Sequence, residues 1–224
     1  MSEERFLLFD LDGTLTDPGE GITNSVAHAL RRSGVEPPER EKLYPFIGPP
    51  LIDSFQRFYG FDADAARRAV TYYREYYCDR GIFENRLYSG IPELLKELTR
   101  ANYRLVLATS KPELFAQQIL EHFSIAEDFY LIAGAAMDES RTRKDEVIAY
   151  ALHKAGANPK QCCMIGDREY DVIGAKKFGI PAIGVLYGYG SREELERVGA
   201  AAIAESVSAL SALLLGAKAG TVSK

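Results

Sequence analysis

Asp10 and Asp12 stand two residues apart where the apolar run Phe6, Leu7, Leu8, Phe9 stops. Such a run reads as a buried strand. Alternate side chains of a strand point the same way, so both carboxylates face one side. Like charges this close repel, and each raises the other's pKa unless a cation or hydrogen-bond donors lie between them. A solvated Asp12-Gly13 turn accounts for Asp12 but gives no reason for Asp10.

Three further segments offer partners. Thr109-Ser110-Lys111-Pro112 puts a hydroxyl pair at a strand end, ahead of a helix whose free N–H groups attract anions. Lys144 opens another helix, with Arg141 and Arg143 close by, and Gly166-Asp167-Arg168-Glu169-Tyr170-Asp171 adds two carboxylates. Each segment alone is a weak signal, because a Thr-Ser pair is commonly a helix cap and a lysine at a helix start is commonly solvated. As a set they have a chemistry. Carboxylates from two strands suit Mg²⁺, which takes hard oxygen ligands and keeps several waters. A hydroxyl, backbone amides and a lysine suit three phosphate oxygens.

The elements that must position these residues follow from periodicity. Helical patterns over 91–101, 112–123, 144–155, 170–178, 192–198 and 206–215 alternate with strand-like runs over 104–109, 128–134, 162–167, 181–186 and 201–204. That alternation predicts a mostly parallel sheet with helices on both faces, whose ligands bind outside the carboxyl ends of the strands. The final stretch GAKAGTVSK is expected to be loose. Residues 17–87 break the rhythm, with helical stretches over 21–33, 39–46, 50–59 and 62–77 and no convincing strand. Ile22, Val26 and Leu30 form one stripe; Val70, Tyr73 and Tyr77 form another, with Ala69, Tyr72 and Tyr76 beside it. Tyrosines at helical spacing are read as packing rather than as a ligand box. The same applies to His28, His122 and His153, which fall on helices as ordinary surface or core residues.

In this order and spacing, DLDGT, TSKP, the lysine and GDREYD resemble the haloacid dehalogenase superfamily of phosphatases over nearly the whole chain, and within it the phosphoglycolate-phosphatase and 5'-nucleotidase-like branch. FIGPPLIDSF and GDREYDVIGAKKFGI are similar to the nucleotidase-like members; Tyr170 departs from the histidine expected in that branch. The resemblance implies an α/β fold, with a Rossmann-like parallel-sheet core over 1–16 and 88–224 and an inserted all-helical cap over 17–87. It implies that Asp10 attacks phosphorus and that Asp12 is the acid and base. Thr109, the Ser110 amide and Lys144 then hold the transferring oxygens. Mg²⁺ sits on Asp10, the Asp12 carbonyl and Asp167, with Asp171 behind them orienting waters or Lys144. A cap closing over the strand ends implies a small phosphorylated metabolite as substrate, a nucleoside 5'-monophosphate ahead of phosphoglycolate. An arginine of the insert turned inward suits a carboxylate, whereas Phe46 or Phe55 turned inward suits a base. Phe46-Ile47-Gly48-Pro49-Pro50 has two readings, a loop overhanging the site or a helix joint with proline opening the next helix.

A sugar phosphomutase shares all four motifs. A phosphoacceptor signalling domain shares the sheet, the aspartate, the hydroxyl and the lysine, but needs neither Asp12 nor the insert. The net charge of -5 argues against a nucleic-acid partner. No run approaches the ~18 apolar residues of a membrane span, and MSEER lacks the basic and apolar regions of a signal peptide. Cys78, Cys162 and Cys163 have no metal spacing and read as reduced core residues of a cytoplasmic protein.

Overall fold

The computed structural model describes residues 5–138 and 140–216. Phe6, Leu7, Leu8 and Phe9 are all buried in β1 (Arg5–Phe9), as a strand covered on both faces requires. The chain then makes β2 (Thr16–Asp17), α1 (Gly19–Arg32), α2 (Leu51–Tyr59), α3 (Ala63–Tyr76) and β3 (Arg86–Leu87). From there helix and strand alternate through α4 (Ile91–Arg100), β4 (Tyr103–Pro112), α5 (Glu113–His122), β5 (Leu131–Ala135), α6 (Lys144–Ala155) and β6 (Cys162–Gly166). The last elements are α7 (Glu169–Lys176), β7 (Ala182–Val185), α8 (Arg192–Arg197), β8 (Ala202–Ala204) and α9 (Val207–Gly216).

Six strands join in the order β5-β4-β1-β6-β7-β8, each neighbouring pair parallel. Phe9 of β1 lies opposite Leu107 of β4 and Ile165 of β6, so the next residues of all three strands emerge at one edge. The chain runs from β1 to β4 and β5 on one side, then returns to β6 on the other. Such a reversal opens a crevice at the carboxyl ends. On one face Phe6, Leu8, Val106, Ala108 and Met164 share a core with Val147, Ile148 and Ala151 of α6, Val172 and Ala175 of α7, and Leu195 of α8. Full burial of a side chain such as Leu8 stabilises the fold by about 1.5–3 kcal/mol. Elsewhere α4 buries Ile91, Leu94, Leu95 and Leu98 and packs on β4 and α9, where the Tyr103 hydroxyl donates to the Leu214 carbonyl at 3.0 Å.

The chain folds as two compact units, one of Met1–Leu15 and Leu87–Lys224 and one of Thr16–Arg86. In the second unit α3 packs against α1 and α2, burying Ile22, Val26, Ala29, Leu30, Ala69, Val70, Tyr73 and Tyr77. The Tyr73 and Tyr77 rings stack at 5.2 Å. Asp62 caps α3, its side chain accepting from the Ala65 amide at 2.7 Å. Among the described residues no helix is long and apolar enough to cross a membrane.

Several expectations need correction. The helix expected over 39–46 is a 3-10 helix, Arg40–Phe46; Pro45 inside it has no N–H and its ring crowds the preceding turn of an α-helix. Beyond α3 the chain loosens into a π-helical turn, Tyr77–Gly81, which leaves Cys78 exposed while Cys162 is buried and Cys163 half-buried. Only one of the three cysteines is therefore a core residue. The insert region is not free of strand, since β2 and β3 form a small two-stranded sheet. The strand expected over 128–134 begins only at Leu131, because Ala126–Asp128 closes a short 3-10 turn. The run expected over 104–109 continues to Pro112, with a register shift between Ala108 and Pro112 against β5. Phe46 and Phe55 are buried inside the helical unit, their rings 5.0 Å apart and joined by Phe58, Tyr59 and Phe61. They are core rather than a stacking surface. The expected loose end lies outside the described residues beyond Gly216.

Candidate active site

At the end of β1 the Asp10 amide donates to the Ile165 carbonyl at 2.9 Å, so β1 is still laddered to β6 when the first carboxylate appears. The chain then turns within a few residues, the Thr14 and Leu15 amides both donating to the Leu11 carbonyl. Gly13 makes this turn possible: its φ is +83°, and a Cβ there would run into the Asp167 carboxylate.

Asp10 and Asp12 are both buried, and each has its own lysine. Lys144, at the first position of α6, places Nζ 2.7 Å from Asp10 and 2.8 Å from Asp171, and donates to the Ala108 carbonyl at 3.0 Å. The contacts to the two carboxylates are ion pairs, and the one to the Ala108 carbonyl is a hydrogen bond. Lys111, in the irregular end of β4, reaches Asp12 at 2.5 Å. Beside it the Thr109 hydroxyl is buried and accepts the Lys111 amide at 3.2 Å, and Ser110 is half-buried. Asp167 follows β6, and Asp171 lies in the first turn of α7, its Oδ2 accepting the Arg168 amide at 3.1 Å. The Tyr189 amide donates to Asp167 Oδ2 at 2.8 Å. Asp167 Oδ1 is buried without a hydrogen-bond partner among the described residues.

Burial sets the electrostatics here. It raises Asp167 well above the usual carboxylate range, helped by the charges of Asp171 and Asp10. It pushes Asp171 up to about 6 against the pull of Lys144, and raises Asp12 against the pull of Lys111. Burial opposes the Lys144 ammonium too, but Asp10 and Asp171 outweigh it and hold its proton firmly.

The structure thus brings together Asp10, Asp12, Thr109, Ser110, Lys144, Asp167 and Asp171 at one sheet edge. Arg141 and Arg143 turn elsewhere, Arg141 to Glu113 and the Gly134 carbonyl, Arg143 to Asp145. Two participants were missed in the sequence. Lys111 stood inside the Thr109–Pro112 segment, where a lysine ending an apolar strand was the available signal. The Tyr189 amide lies in Tyr187-Gly188-Tyr189-Gly190, whose alternating glycines signal close backbone approach.

The donor set fits a hard divalent cation. Asp10, Asp167 and Asp171 each offer a carboxylate oxygen, all within 4.8 Å of one another. Four buried carboxylates face two buried lysines, a shortfall of the charge that Mg²⁺ carries. Asp10 and Asp171 share Lys144, whereas Asp167 Oδ1 has no hydrogen-bond partner among the described residues.

The family description of haloacid dehalogenase-like hydrolases matches residues 7–185. The chain belongs to this family. The hydrolase is 49% identical to a 5'-nucleotidase of Pseudomonas aeruginosa over 84% of its own length and 86% of that protein. It is 41% identical to the tyrosine-protein kinase PtkA of Mycobacterium tuberculosis over 86% of its own length but 66% of that longer chain. Among solved structures, a predicted phosphatase from Clostridium acetobutylicum superposes with a TM-score of 0.93 at 46% identity, over 96% of this chain and 100% of the other. Family and site together make the haloacid dehalogenase-like hydrolase a phosphoric monoester hydrolase, and its parallel six-stranded sheet with an inserted helical unit is the fold of those neighbours.

Proposed function

We propose that the enzyme is a Mg²⁺-dependent phosphomonoesterase that passes the phosphoryl group of a nucleoside 5'-monophosphate to Asp10 and from there to water. The observation that carries this reading is the division of two neighbouring carboxylates between two lysines, Asp10 to Lys144 and Asp12 to Lys111. Environments that set neighbouring acids apart suit separate roles. Asp10, beside a firmly protonated lysine, attacks phosphorus, and the bond to the ester oxygen breaks. Asp12, raised by burial and with Oδ1 unpartnered among the described residues, gives its proton to that oxygen. Asp12 then takes a proton from the water that attacks the acyl phosphate, releasing phosphate and restoring Asp10. The Thr109 hydroxyl, the Ser110 amide and the Lys144 ammonium hold the oxygens that stay on phosphorus. Asp10, the Asp12 carbonyl and Asp167 would hold Mg²⁺, with Asp171 behind them, and the ion would supply charge that neutralises those oxygens.

The relative named 5'-nucleotidase, at 49% identity, supports the nucleotide as substrate. A cytoplasmic setting accords with three free cysteines. Comparing kcat/KM for nucleoside 5'-monophosphates, phosphoglycolate and hexose phosphates tests the assignment, with transfer from ATP to a tyrosine peptide as a further arm. Nucleoside 5'-monophosphates lead if the reading holds. A lead of ~100-fold for phosphoglycolate, nearly 3 kcal/mol in transition-state binding, or transfer to the peptide outpacing phosphate release, overturns it.

A further inference from the structure

Asp167 is enclosed by glycines. A Cβ built on Gly13 would meet its carboxylate; one on Gly188 would meet the Gly13 carbonyl oxygen and the Asp167 side chain; one on Gly190 would meet the Asp167 carbonyl oxygen. All three approaches are closer than real Cβ atoms make. Gly13 also needs its left-handed φ, whereas Gly188 and Gly190 do not have one. At those two positions it is space, not backbone conformation, that excludes a side chain. Between them Tyr189 turns its N–H onto Asp167 Oδ2 at 2.8 Å, while Oδ1 stays buried without a partner among the described residues, in the cluster with Asp10 and Asp171.

The terminal torsion of an aspartate is broad and two-fold, so covalent geometry does not select which oxygen faces an ion. A hydrogen bond to the other oxygen does. We propose that Tyr187-Gly188-Tyr189-Gly190 is a positioning element for the cation site: the Tyr189 amide fixes the rotation of the Asp167 carboxylate, and the bare glycines on either side let the backbone come near enough to reach it. The inference rests on the reading of Asp167 as a cation ligand. The segment acts through Asp167.

Calorimetric titration of Mg²⁺ into the wild type, Gly188→Ala and Gly190→Ala tests it. A displaced loop weakens Mg²⁺ binding by about 10-fold or more, the usual cost of losing an outer partner of a metal ligand. Turnover in the variants returns when Mg²⁺ is raised above the new dissociation constant, a rescue that a general packing defect would not show. Unchanged Mg²⁺ affinity in a folded variant overturns the proposal. A wild type that takes up no Mg²⁺ removes the cation reading and the positioning role together, whereas wild-type binding with unchanged variants removes the positioning role alone. Should neither variant fold, hydrogen exchange in the intact enzyme decides. A Tyr189 amide that exchanges slowly, and loses this protection selectively in Asp167→Ala, supports the proposal; one that exchanges like a surface-loop amide in the wild type overturns it.

Discussion

Asp10 and Asp12 are separated by one residue in the chain, yet the proposed mechanism gives them different work, which substitution should reveal. Asp10→Asn removes the nucleophile without changing its shape; turnover falls at least ~100-fold with the circular dichroism spectrum unchanged. A smaller loss would mean that another group attacks. Asp12→Asn also loses most activity, through failed proton transfer, and a wild-type pH profile in that variant would remove it from the acid–base role. Asp167 gives a prediction of opposite sign for stability. Its carboxyl is raised by burial and by Asp171 and Asp10, so between the unfolded value of about 3.9 and its folded value the native state holds a proton that the unfolded chain has lost. Without metal, stability therefore falls as pH rises through that window. Asp167→Asn removes the penalty, raising the Tm of the chelated protein at neutral pH and flattening its pH dependence, while abolishing the Tm gain from Mg²⁺. A lower Tm for the variant in EDTA would contradict this account. The carboxylates, the hydroxyl pair and Lys144 were legible in the sequence because each sits where a predictable element begins or ends. The Lys111–Asp12 pair was not, since it joins residues far apart in the chain through the irregular end of β4.

At the scale of elements, the regular strands and helices followed from apolar runs and helical stripes, and the departures have local causes. Pro45 turned an expected α-helix into a 3-10 helix. The short strands β2 and β3 are below the length at which alternation can be read. By sequence Phe46 and Phe55 suit a base-stacking role; in the fold they pack on each other, and Phe55 stacks on Phe61. Phe55→Ala should cost about 3–5 kcal/mol, the usual result of emptying a buried aromatic site. Urea unfolding followed by tyrosine fluorescence measures it, and a loss below about 1 kcal/mol would show that Phe55 is not core.

At the scale of the whole molecule, every residue assigned to the chemistry belongs to the sheet-containing unit, Met1–Leu15 with Leu87–Lys224. Chelation with EDTA should silence the enzyme and added Mg²⁺ restore it; full activity in chelator removes the ion from the mechanism. The place of β1 in the sheet bears on how the molecule is made. It is synthesised before either of its neighbours, yet it pairs with β4 from Tyr103 and β6 from Cys162. On the ribosome the Phe6–Phe9 segment must stay an unpaired apolar edge while the whole helical unit emerges and its local contacts form. Asp10, at the end of that edge, is thus the first of the candidate site residues to be translated and among the last to be seated. An immature chain carries no assembled centre, and the interval before β6 appears is when it is most exposed to aggregation through β1.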